Sequence, residues 1–184
     1  YYMNSFSYED IINYATIETN DLHNTNNKGY KYYLPTGFNV SKDEGFNQVI
    51  SSHNNIYYLN IDIVSYYYKK GVDETKNIDD YYFYSFDKNN SEGYLRIRKN
   101  NDKFFVELCY NYAIIEVEVE ESEIRYAISR GITILNSIKY NDSVIEKQLN
   151  DRDLDTKETT YKIPEPKDKN EKKNVLEYIN ENEE

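Results

Sequence analysis

The sequence predicts an α+β fold: an antiparallel β-sheet with an N-terminal helix and a long C-terminal helix packed on one face. Three observations carry this expectation. A capped helical pattern opens the chain near Ser7, runs of alternating hydrophobicity joined by short polar turns fill the middle, and the period changes to three-and-four from Ile124 to Ile138.

The first element is read from "SYEDIINYATIETNDL". Ser7 supplies the cap and Asp10 the capping-box partner three residues on, with Ile11, Ile12, Ala15 and Leu22 at roughly helical spacing. "NTNNKG" is a polar loop, and in "YKYYLPTGF" Pro35 and Gly37 mark either an edge strand or a strand that breaks at a turn. "FNQVISS" is a short strand, and "HNN" turns it into "NIYYLNIDIVSYYYKK", Asn55 to Lys70. There the alternation places Tyr57, Leu59, Ile61 and Ile63 on a core side, with Tyr58, Asn60, Asp62, Val64 and Tyr66 opposite.

After the loop "KKGVDETKNIDD" come the strands "YYFYSFDK" and "GYLRIRK", joined by "NNSEG". "NND" leads into "KFFVELCYNYAIIEVEVE", where the apolar parity switches between Tyr110 and Ile115. One continuous strand cannot do that, so a bulge or break falls near Asn111 to Ala113. The register of the hairpin before it follows from one demand: Leu95 and Ile97 must share a face with Phe104, Val106 and Leu108. A two-residue turn at Asn101-Asp102 meets it, pairing Ile97 with Val106, Leu95 with Leu108, Arg96 with Glu107 and Arg98 with Phe105. In the final helix Gly131 lies on the apolar stripe and allows close approach to a strand. From Asn141 the periodicity fades, so the expectation is one domain over 1–140 and a flexible charged tail over 141–184.

Composition narrows function. The 184 residues carry a net charge of −11, which repels phosphate backbones and argues against nucleic acid as a partner. Codon bias in an AT-rich genome accounts for much of the excess of tyrosine, 22 residues. A single cysteine, Cys109, leaves no internal disulfide, and it alternates to the polar side of its strand as a structural thiol. His53 sits in a turn where any polar residue serves. Glu116, Glu118 and Glu120 share one strand face, and a flat strand does not wrap oxygens around a cation, so they read as a solvated face. The basic patch Arg96–Arg98 reads as cross-strand pairing with acidic neighbours. No residues are therefore assigned to catalysis, to a cofactor or to a metal.

The remaining surface is tyrosine-rich. Tyr58, Asn60, Asp62, Tyr66 and Tyr68, on the non-core side of the Asn55–Lys70 stretch, form the candidate ligand or partner surface, since rings among polar neighbours pack on sugars or peptides.

"YYLPTGFNV" entering a sheet, the "YYLNIDIV" strand, a tyrosine-rich hairpin and a helix ending "ILNSI" resemble, by order of elements over Tyr30 to Tyr140, the Mog1/PsbP-like α+β modules of bacterial lipoproteins and membrane-anchored extracytoplasmic domains. The resemblance carries no site residues. It implies a non-catalytic binding or scaffold domain of a cell-envelope protein, extracytoplasmic and held to the membrane only through an anchor upstream of Tyr1. The partner would be a protein or a cell-wall polymer. The alternative is a soluble cytoplasmic adaptor that binds a protein through its sheet edge or acidic tail.

Overall fold

In the computed structural model, which describes residues 5–52 and 55–151, the fold is α+β with antiparallel sheets. Helix α1 (Tyr8–Ala15) starts as its sequence dictates, with the Ser7 hydroxyl accepting from the Asp10 amide and the Asp10 carboxylate accepting from the Ser7 amide. It ends at Ala15, so Leu22 lies outside it and is exposed. Strands β1 (Thr25–Asn27) and β2 (Tyr30–Tyr32) form a small sheet with β10 (Lys139–Tyr140). Of the two readings of "YKYYLPTGF", the strand that breaks at a turn is the one observed: Tyr30–Tyr32 is the middle strand of that sheet rather than an edge, and after the turn at Thr36-Gly37 Phe38 opens the next.

The main sheet has seven strands: β3 (Phe38–Asp43), β4 (Asn47–Ser52), β5 (Asn55–Ile61), β6 (Asp80–Lys88), β7 (Ser91–Asn100), β8 (Lys103–Tyr110) and β9 (Ala113–Val119). Their order is β3-β4-β5-β9-β8-β7-β6. The β7–β8 register is the expected one throughout, with Arg96 opposite Glu107 and Arg98 opposite Phe105. The parity switch is resolved by the expected break rather than by a bulge: the run divides at Asn111-Tyr112 into two strands joined by a two-residue hairpin. Asn111 and Tyr112 both take positive φ, 52° and 59°, the twist that closes adjacent antiparallel strands most tightly.

One face of this sheet, called inner here, holds the core: Tyr57 and Leu59 from β5, Val106 and Leu108 from β8, Ile115 and Val117 from β9. Helix α3 (Ile124–Asn136) packs its apolar stripe there with α1 beside it. The expected close approach at Gly131 is present, since a Cβ there would meet Leu108 Cδ2 at 3.3 Å and Ile115 Cγ2 at 3.7 Å.

Two expectations are corrected. The Asn55–Lys70 stretch is not one strand: it leaves the sheet after Ile61 and forms helix α2 (Ile63–Tyr68), because the Asp62 carboxylate caps the Ser65 amide. Nor is the long helix the last element. It is followed by β10 and by helix α4 (Asp142–Asp151), whose Ile145 is fully buried against Gly29. Thus α4 stands within the segment expected as a flexible tail; the rest of that segment, and the expected turn at His53, lie outside the described residues.

Candidate functional site

The outer face of the seven-stranded sheet has two unlike halves, and the connection between β5 and β6 divides them. That connection must run from the third strand of the sheet to the last, so α2 and the residues after it cross the outer face. It is tied down where it passes β7. Arg96 donates through Nη2 to Glu74 Oε2 and to the Thr75 carbonyl, each at 2.9 Å, while the Val72 amide donates to Glu92 at 2.7 Å.

Arg96 is the hub of this half. Beyond Glu74 it faces Asp80 at 3.3 Å and Glu107 at 3.4 Å, and its guanidinium lies 5.3 Å from the ring centres of both Phe83 and Tyr94. Glu107 in turn accepts from the Tyr94 hydroxyl at 2.6 Å and pairs with Arg98 at 2.9 Å. Arg96, Asp80 and Glu107 are all buried. The pairing expected for the basic patch is present and goes further, since both arginines share Glu107 and the loop and β6 bring further carboxylates to Arg96. Arg98 also lies with its guanidinium 5.1 Å from the Phe105 ring.

Between the connection and the sheet lies a cleft of about 540 Å³, lined by Lys69, Lys70 and Glu74 above and by Tyr94, Cys109 and Ile114 below. Burial, then the charge of Glu107, pushes the Cys109 thiol up to about 12, so it stays protonated and is a poor nucleophile at neutral pH. It does lie on the outer face as its parity implied, but it is covered rather than solvated.

Among the described residues, nothing is packed over the other half, on β4, β5 and β9. Here the register sets Val49 opposite Tyr58, Tyr58 opposite Glu116, and Glu116 opposite Glu107, so one transverse row crosses from apolar to acidic. Ile56 is 51% and Tyr58 52% exposed, and Asn60 bonds to Asn47 across the strands. Glu116 is half-buried, which corrects its reading as solvated, with Tyr58 opposite it on β5 and Glu107 opposite it on β8. Burial first and Glu107 second push its carboxyl up to about 7, with Arg98 opposing. Glu120 lies past the end of β9 and is not part of this row.

The candidate surface expected from sequence is therefore split. Tyr58 and Asn60 remain on the open strand face, while the other three residues belong to α2 and its cap. Asp62 caps the helix, and Tyr66 stacks on Tyr140 at 3.9 Å, meets the edge of Tyr112 and hydrogen-bonds Asp142. Tyr66 thus joins α2 to β10, α4 and the β8–β9 turn, which is a packing role. Tyr68 is exposed at the helix end. Alternation could not reveal this, because Asp62, Val64 and Tyr66 keep strand parity across a backbone that has turned helical. Glu116, in contrast, was in view as one of an acidic row, and its position opposite Glu107 was the missed signal.

No helix among the described residues is long and apolar enough to cross a membrane. No family model matches the chain, and no curated protein matches it.

Proposed function

We propose that the chain is a non-catalytic binding module that docks a partner protein on the open outer face of β4, β5 and β9, as a cell-envelope domain of a membrane-anchored protein. One observation carries the docking surface: Ile56 and Tyr58 stand half-exposed in the middle of a sheet whose other half is roofed over. Large apolar side chains side by side on a rigid strand, rimmed by polar groups, are what a partner buries on docking. The envelope setting rests on the resemblance in the order of elements.

Panning a phage-displayed peptide library on the protein and on its Ile56→Ser/Tyr58→Ser variant tests the surface. Both positions are exposed, so the variant should fold as before. Sequences enriched on the parent should be lost on the variant; equal enrichment on both would overturn the assignment. Fractionation of the native host tests the setting. The protein should sediment with membranes and be digested by protease added to intact protoplasts, whereas a protected, cytosolic protein would make it an adaptor inside the cell.

A further inference from the structure

We infer that the partner segment seated on this face is cationic, presenting lysine or arginine beside apolar side chains, and that Glu116 is the carboxylate that receives the charge. The inference rests on the reading of the outer face as the docking surface.

The charges on the face do not balance. Glu107 already engages both nearby arginines and the Tyr94 hydroxyl. Among the described residues no cation or hydrogen-bond donor reaches Glu116. Glu118, two positions on along β9, accepts only from the neutral Asn100 amide. Among the described residues, two carboxylates about 7 Å apart along the strand thus have no ion-pair partner beside an apolar strip, on a chain of net charge −11.

The groups that face Glu116 are Tyr58 from β5, Glu107 from β8 and Glu118 on its own strand, with Arg98 of β7 behind Glu107. Arg98 is the one cation in this set, and Glu107 holds it. An ammonium or guanidinium seated between the Tyr58 ring and Glu116 would face both π-electrons and a carboxylate, while its aliphatic stem covers the apolar strip. An acidic or phosphorylated segment would meet Glu116, Glu118 and Glu107 as like charges, so the same geometry rejects it.

Proton and cation then compete for one carboxylate. Unoccupied, Glu116 titrates near 7; a bound cation favours the ionised form and lowers that value. Affinity should be nearly full at pH 8 and fall about fivefold by pH 6, levelling off at lower pH where the carboxyl is protonated and binds no better than glutamine.

The test is calorimetric titration with three synthetic hexapeptides, alternating Lys-Leu, Ser-Leu and Glu-Leu, each capped at both ends. At pH 8 the Lys-Leu peptide should bind at least about tenfold more tightly than the other two. Glu116→Gln should weaken it about tenfold and abolish the loss between pH 8 and pH 6, whereas Glu121→Gln, which removes an equal charge away from the face, should change neither. Equal binding of the Lys-Leu and Ser-Leu peptides, lost in the Ile56→Ser/Tyr58→Ser variant, would overturn the cationic partner and leave the docking face standing. Lys-Leu binding that neither Glu116→Gln nor the double variant weakens would overturn both.

Discussion

Replacing Glu116 by Gln should stabilise the fold at pH 8 and leave it nearly unchanged at pH 4.5. In the unfolded chain a glutamate ionises near 4.5, and in the fold burial and Glu107 hold this one up to about 7. Between those values the folded state binds more protons than the unfolded state, so stability falls as pH rises through that window. Above about pH 7 both states are ionised and the full penalty remains. The gap between the two values corresponds to about 3 kcal/mol. Glu116 is half-buried rather than fully buried, and solvent screening reduces that to about 1–2 kcal/mol. Glutamine keeps the shape and removes the charge, so the variant should gain about 1–2 kcal/mol at pH 8 and under about 0.5 kcal/mol at pH 4.5. Urea unfolding followed by circular dichroism at several pH values reads this as a midpoint shift of about 0.5–1 M. An equal gain at both pH values would show that shape rather than charge is responsible. A loss at pH 8 would show that Glu116 has a favourable partner.

Three further outcomes test the frame around the site. Arg96→Ala should cost about 3–5 kcal/mol in the same urea assay, because it leaves Asp80 buried without its cation and Glu107 with Arg98 alone; a cost under 1 kcal/mol would mean that water already serves Asp80. Gly93→Ala should cost about 1–3 kcal/mol, since its Cβ would lie 2.5 Å from the Cys109 carbonyl oxygen and the β7–β8 backbone would have to shift. Ile145→Ala should cost about 2–4 kcal/mol if α4 is an integral part of the fold, and nearly nothing if it detaches.

The β7–β8 hairpin was legible to the residue because two constraints met there. Both strands had to send their apolar set to one core, and Asn101-Asp102 fits a tight turn; Asn101 indeed takes φ 54°. The Arg96–Glu107 pairing came with that register. What could not be read was anything fixed by the β5–β6 connection. Glu74 reaches Arg96 from 22 positions away along the chain, through a loop with no periodic signal. Helix α2 was hidden for a different reason: its β-branched and aromatic residues favour a strand, and the Asp62 cap alone opposes them. Helix α4 was hidden because few of its residues are apolar, and its anchoring through Ile145 depends on Gly29, far off in sequence. The open face was half legible. Tyr58 and Asn60 were placed correctly by period two, but that their carboxylate neighbour is Glu116 follows only from the pairing of β5 with β9.

The docking face is tested most directly by mapping the Lys-Leu hexapeptide on the isotope-labelled protein by amide chemical shifts at pH 8. The largest shifts should fall on β4, on β5 around Tyr58 and on β9 around Glu116, and should disappear in the Ile56→Ser/Tyr58→Ser variant. Shifts gathered instead at Lys69–Glu74 and Asn90–Tyr94, where the cleft lies, would contradict the account.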